Sequence, residues 1–154
     1  MAFATGYLAD PTAIGAGETI GDTNILFTAI TFQDELQVGR FAKLDTGSLD
    51  NLDASATPVI AGVVTRNPAA SVEDGDTIDS ALYSKAEYLR QGLITVDVMT
   101  ADTPAMFDTV FIQNTADADA GKASTVDDAS TEPAPGNAEF LYEVQTDVWV
   151  IRLF

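Results

Sequence analysis

Apolar and polar residues alternate with a period of two along most of this chain, the spacing of half-buried strands and not of helices. The run EYLRQGLITVDVMT over 87–100 shows the pattern: Ile94, Val96 and Val98 fall on one side, Thr95 and Asp97 on the other. LQVGRFAKL (36–44) alternates likewise, with Leu36, Val38, Ala42 and Leu44 on one side interrupted by Arg40, while ILFTAITF (25–32) is rich in branched and aromatic residues and FDTVFIQN (107–114) and EFLYEV (139–144) read as further strands. VIAGVVT (59–65) is apolar on both faces, which predicts a fully buried strand whose Gly62 lets another element approach closely. ALYSKAEYL (81–89) reads as β in preference to a short helix, because Tyr83 and Tyr88 lead into the strand that follows. In DVWVIRLF (147–154), Trp149, Ile151 and Leu153 share one face while Val148, Val150 and Phe154 share the other, interrupted by Arg152. A terminal strand buried on both sides is structural, so its truncation is expected to unfold the domain.

Turn chemistry separates these runs. DTGSLDNLDASATP (45–58) and RNPAASVEDGDTID (66–79) read as loops. Residues 115–138 form a polar, Ala-rich excursion with one weak strand at 122–126, and residues 1–24 read as an extended arm carrying Phe3, Tyr7, Leu8 and Ile14. The prediction is a single all-β domain over 25–154, a jelly-roll-like sandwich or barrel, preceded by that arm. No internal repeat is visible, and 154 residues suit one domain.

Charge adds a second constraint. Twenty-four acids against seven bases give a net charge of −17, which repels nucleic acid and anionic lipid, so neither is expected as a partner. The charge is also uneven: residues 40–90 hold five bases and eight acids (net −3), residues 97–147 one base and eleven acids (net −10). A body with one nearly balanced side and one anionic side is suited to docking by the first and showing the second to solvent. The apolar runs are too short to span a membrane, and the opening residues lack the basic and apolar regions of a signal peptide.

Without cysteine or histidine, thiolate metal sites and Ser–His or Cys–His nucleophiles are excluded. No S-x-x-K motif occurs. GAGETIG (15–21) lacks the preceding strand and the lysine of a phosphate loop, and reads as flexible arm. Asp117, Asp119 and Asp128 stand at positions 1, 3 and 12 of a calcium-type loop, but Lys122 occupies the position that needs glycine. These residues and the turn EDGD (73–76) read as acidic surface loops, so no metal or cofactor is expected. Asp97 and Asp108, on neighbouring predicted strands, are the best carboxylate pair for glycoside hydrolysis, with Trp149 the one tryptophan available as a sugar platform. The scarce cations Arg40, Lys43, Arg66 and Arg90 are the candidate partner contacts, since arginine binds carboxylates bidentately. Intrachain ion pairing is the alternative role for them. Phe3 and Tyr7 of the arm are the candidate apolar contacts.

The ordered series LQVGRFAKLDTG, AGVVTRN, YSKAEYLRQGLITVDV, DTVFIQN and VWVIRLF, spanning 36–154, resembles the structural cement, or capsid decoration, proteins of tailed bacteriophages. The arm and the acidic segment 115–138 lie outside the matching motifs. The resemblance implies a jelly-roll-like protein made in the host cytoplasm and bound to the outside of an icosahedral head. There it would bridge neighbouring major capsid proteins, with no catalysis and no cofactor. Contact with other copies of itself is expected, as a dimer in preference to a trimer. Competing expectations are another virion part, such as a head-fibre base or tail component, and a carbohydrate-binding β-sandwich. Removal of residues 1–20 is expected to leave the domain folded and weaken shell binding.

Overall fold

The period-two run around Ile94 lies in a 13-residue strand that pairs with three others. In a computed structural model, which describes residues 15–31, 35–66, 77–79 and 85–154, β7 (Lys85–Asp97) pairs along one edge with β1 (Thr19–Thr31). Its other edge takes β5 (Ile60–Val64) at Leu89 and Tyr88, then β12 (Val148–Leu153) from Gly92 to Asp97. β11 (Ala138–Gln145) completes that side by pairing with β12. The first half of the chain adds β3 (Phe41–Asp45) and β4 (Ser48–Asn51), a hairpin whose β3 joins β5 and whose β4 meets the end of β1 in parallel. The pairings β1–β4–β3–β5–β7–β1 therefore close on themselves as a small barrel, from which β12 and β11 extend as a wing.

Two cores follow from this arrangement, because successive side chains on a strand point to opposite faces. Ala42, Leu49, Val64, Ala86 and Tyr88 pack together with Leu36 and Ile78, which come from the short pair β2 (Glu35–Gln37) and β6 (Thr77–Asp79). Their chain neighbours Phe41, Val63 and Leu89 join the larger core with Ile94, Val96, Val98, Phe140, Ile151 and Leu153. A second sheet, β10–β8–β9, contributes Ile112 and Ala123 to the same core, making a sandwich; its strands are β8 (Phe111–Gln113), β9 (Ala123–Ser124) and β10 (Thr131–Pro133). The all-β expectation holds, with barrel and sandwich both present. β5 serves two cores at once, which explains its apolar residues on both faces. A Cβ at Gly62 would overlap the Leu89 carbonyl oxygen across the β5–β7 pair.

The C-terminal strand lies between β7 and β11, with Val148, Val150, Ile151 and Leu153 all buried. At roughly 1.5–3 kcal/mol per buried aliphatic side chain, these four contribute on the order of the whole net stability of a domain, about 5–15 kcal/mol.

Several boundaries differ from expectation. LQVGRFAKL is not one strand: Val38–Arg40 turn between β2 and β3, with Gly39 at a φ of 73°. The supposed loop 45–58 contains β4, whose Leu49 is fully buried while Ser48 and Asp50 gave the segment its turn-like composition. The 115–138 segment is not a detached excursion. β9, at the site of the weak predicted strand, and β10 pair with β8, Ala123, Ala134 and Ala138 enter the larger core, and Gly121 O accepts a bond from the Phe41 amide.

The arm boundary also moves. β1 begins at Thr19, and Gly15–Glu18 are pinned against β7 instead of forming a flexible lead-in. The Gly17 amide donates to Thr95 O (2.7 Å), Thr95 N to Glu18 O (3.0 Å) and Arg66 N to Gly17 O (2.8 Å). The buried Thr95 hydroxyl donates to Gly15 O (2.8 Å) and accepts from the Glu18 amide (2.9 Å). Gly39 makes room for this segment: a Cβ there would overlap that of Ala16. Deleting residues 1–20 would remove this anchored strip, so the expectation that such a deletion spares the fold does not carry over.

Candidate docking surfaces

Three of the four singled-out cations are engaged within the chain. Arg40 holds Asp97 through Nε (3.0 Å) and donates from Nη1 to Ala118 O (2.6 Å), tying β3 to β7 and to the 115–121 segment. Lys43, nearly buried, meets Asp53 at 2.7 Å. That hydrogen bond from Lys43 holds the Asp53 carboxyl below the usual carboxylate range. Arg66 reaches Glu18 (3.6 Å) and Ala16 O (3.3 Å), clamping the root of the arm. Arg90 is different: it is exposed and its Nη1 donates only to Ala61 O (3.3 Å), with no ion pair among the described residues. Phe3 and Tyr7 lie outside the described residues.

The acidic candidates do not assemble a reaction centre. Asp97 is committed to Arg40, whereas Asp108 lies in a turn and accepts the Ala105 amide (2.8 Å). Asp117 accepts the Thr115 hydroxyl and the Asp119 amide, Asp119 meets Lys122 (2.7 Å), and Asp128 accepts from both the hydroxyl and the amide of Ser130. The Thr115 bond lowers the Asp117 pKa, and the Ser130 bonds lower that of Asp128. Each carboxylate closes its own turn, and no group of three or more metal-ligating side chains forms among the described residues. The turn at 73–76 lies outside them. A shallow cleft of about 400 Å³ beside Arg40 is lined by Asn51, Asp53 and Asp117, and its guanidinium is already spoken for by Asp97.

What the sequence did not single out is the unpartnered length of β1. Only Ile30 and Thr31 meet β4, so on that side Thr19–Ala29 has no neighbouring strand among the described residues. Ile25, Leu26, Phe27 and Ile30 are all about half exposed, although they fall on both faces of the strand. Phe27 stacks on Tyr88 at 5.7 Å, which orders one ring without covering it. No charge occurs from Thr23 to Thr31. Arg90 stands on β7 beside the Ile25–Leu26 irregularity and Lys85 opposite Ile30, so two cations with no ion pair among the described residues border the strip. An open, apolar strand edge is ordinarily blunted by charge or covered, because it templates pairing with another chain. The branched and aromatic residues of 25–32 were legible as a strand; that no described strand flanks its outer edge over Thr19–Ala29 depends on where β4 stops.

A second apolar prominence lies beyond the opposite edge of the wing. Met106 and Phe107, in the turn before β8, are 59% and 60% exposed. The Phe107 amide donates to Phe140 O of β11 (2.7 Å), which fixes the turn beside that strand. Across the local order β1–β7–β12–β11, the outer strands are three steps apart, about 14 Å at ordinary strand spacing.

Comparison with known proteins adds the following. The family model described as XM1 gp53 minor capsid protein matches residues 3–153. A chain in the solved structure of the capsid of Myoviridae phage XM1 is 34% identical, superposes with a TM-score of 0.82, and is aligned over 99% of this chain and 98% of its own. No curated protein matches in sequence.

Proposed function

The chain belongs to the XM1 gp53 minor capsid protein family and is a structural component of a phage capsid; from that premise we propose that it is a cement protein, bound outside the head and bridging neighbouring major capsid proteins without catalysing a reaction. The observation that supports this reading most directly is β1, whose stretch Thr23–Thr31 is uncharged and whose outer edge over Thr19–Ala29 meets no strand among the described residues, on a molecule of net charge −17. Such a strip is the natural place for a shell protein to add a strand or cover apolar side chains, at about 25 cal/mol per Å² of apolar surface removed from water. Arg90 and Lys85 at its border would pair with carboxylates of the partner.

Bridging asks for two contact surfaces, and β1 and the Met106–Phe107 turn lie on opposite sides of the wing. Phe3 and Tyr7 are proposed as further apolar contacts, to a neighbouring shell protein or to a second copy. Individually modest contacts suffice, because a shell presents many sites at once. The anionic remainder would face solvent and keep finished particles apart.

The test is to prepare heads with and without the protein, image them and measure their resistance to heat. Density on the outer shell and a higher disruption temperature are expected. Equal resistance with no external density, or density confined to the tail or one vertex, would overturn the proposal.

A further inference from the structure

Met106 and Phe107 combine features that rarely coincide. Both are large, apolar and mostly exposed, and the backbone that presents them is strained yet braced. Phe107 has a φ of 72°, in the left-handed region that bulky side chains avoid. Four hydrogen bonds hold it there. The Ala105 amide donates to Asp108 Oδ2 (2.8 Å), Asp108 N to Ala105 O (3.1 Å), Phe107 N to Phe140 O (2.7 Å) and Phe140 N to Asp108 O (3.0 Å). Glycine would adopt this turn without strain, whereas phenylalanine holds it against its backbone preference and presents its ring outward.

The connection 99–109 that carries the turn holds no Lys or Arg, and Arg152, opposite Glu139 beside Phe140, is already paired with that carboxylate (2.6 Å). Asp102 and Asp108 belong to the same connection, and Thr100 of that connection donates to Asp147 Oδ2 (2.8 Å). None of these three carboxylates has a cationic partner among the described residues. We infer that the Met106–Phe107 turn is a preformed knob that enters an apolar socket rimmed by Lys or Arg on the capsid shell protein. This deepens the cement reading and rests on it. Charge favours this occupant over a second copy: a copy would bring mostly like charge to the knob, whereas a basic rim both attracts and orients it. A rigid knob loses little conformational freedom on binding, the condition under which a few exposed side chains dominate an interface.

The experiment measures binding of purified protein to heads assembled without it, for wild type, Phe107→Gly, Met106→Ser and the control Val126→Ser, an exposed apolar residue elsewhere. Phe107→Gly relieves the strained turn, so its melting temperature should stay close to that of wild type while head binding falls at least tenfold. Met106→Ser should lose binding similarly, Val126→Ser should not, and wild-type binding should weaken as salt rises. Retained binding in Phe107→Gly and Met106→Ser overturns the inference, as does loss of a wild-type dimer in either variant, which would make a second copy the occupant. Should Phe107→Gly fail to fold, Met106→Ser decides alone, because Met106 has no positive φ. Wild type that does not bind heads at all would sink the cement reading instead, a result distinct from binding that ignores the knob.

Discussion

Replacing Thr95 with valine tests whether the strip Gly15–Glu18 is held by one buried hydroxyl. The substitution nearly preserves shape inside β7 and removes two hydrogen bonds, to Gly15 O at 2.8 Å and from the Glu18 amide at 2.9 Å. Thr95 is fully buried, while Gly15 and Glu18 are half-buried. Their stranded polar groups therefore cost toward the low end of the roughly 1–3 kcal/mol each that applies to buried groups. The sum is about 2 kcal/mol, or a drop of about 4–8 °C in Tm for a domain of this size. Urea unfolding followed by Trp149, whose indole meets Phe140 edge-on in the larger core, reports the global cost. Hydrogen exchange at the Glu18 amide reports the local one, and should accelerate in T95V. Thr95→Ser keeps the hydroxyl and loses one methyl group, about 1 kcal/mol, and should leave that amide protected. A T95V cost below about 0.5 kcal/mol, or unchanged exchange at Glu18, would refute the claim that this hydroxyl anchors the strip.

Deletion of residues 1–20, which strips the bonds at Gly17 and Glu18, should lower the melting temperature by more than about 5 °C, read by differential scanning calorimetry. Gly62→Ala sets a Cβ against the Leu89 carbonyl oxygen and should destabilise by at least about 2 kcal/mol, checked by urea midpoint. Asp53→Asn should cost about 1 kcal/mol at pH 6, because Asp53 is about half exposed and asparagine can still accept from Lys43, although the nearly buried ammonium loses its countercharge. The Asp53 pKa is depressed in the folded state, so its contribution is present above about pH 4 and disappears as pH falls through the folded value. The two proteins should therefore converge in stability near pH 2, and a difference that persisted or grew in acid would contradict the assignment.

Local patterning carried the β class, the alternation at Ile94–Val98, the doubly buried run at 59–65 and the structural C-terminal strand, because each is a property of side-chain spacing. Where it misjudged, composition masked packing. Ser48 and Asp50 hid a strand around Leu49, and the acids of 115–138 concealed that Ala123, Ala134 and Ala138 are core. The glycines of GAGETIG suggested flexibility, yet Gly17 has a φ of 86° and fits against Val38, a close approach that other residues would obstruct.

The candidate site was less legible still. Arg40, Lys43 and Arg66 stand out by scarcity, but whether a cation faces a partner or its own chain depends on which carboxylates folding brings near, and Asp97, Asp53 and Glu18 are 57, 10 and 48 positions away. By itself the amino-acid order determined the period of two, the charge of −17 and the absence of histidine and cysteine, all of which are local or additive. Only the tertiary structure decided that β1 pairs along one side and, among the described residues, meets β4 only at its end on the other, and that Phe107 is braced outward. Edge exposure and strain are relations between distant segments, and no window along the chain contains them.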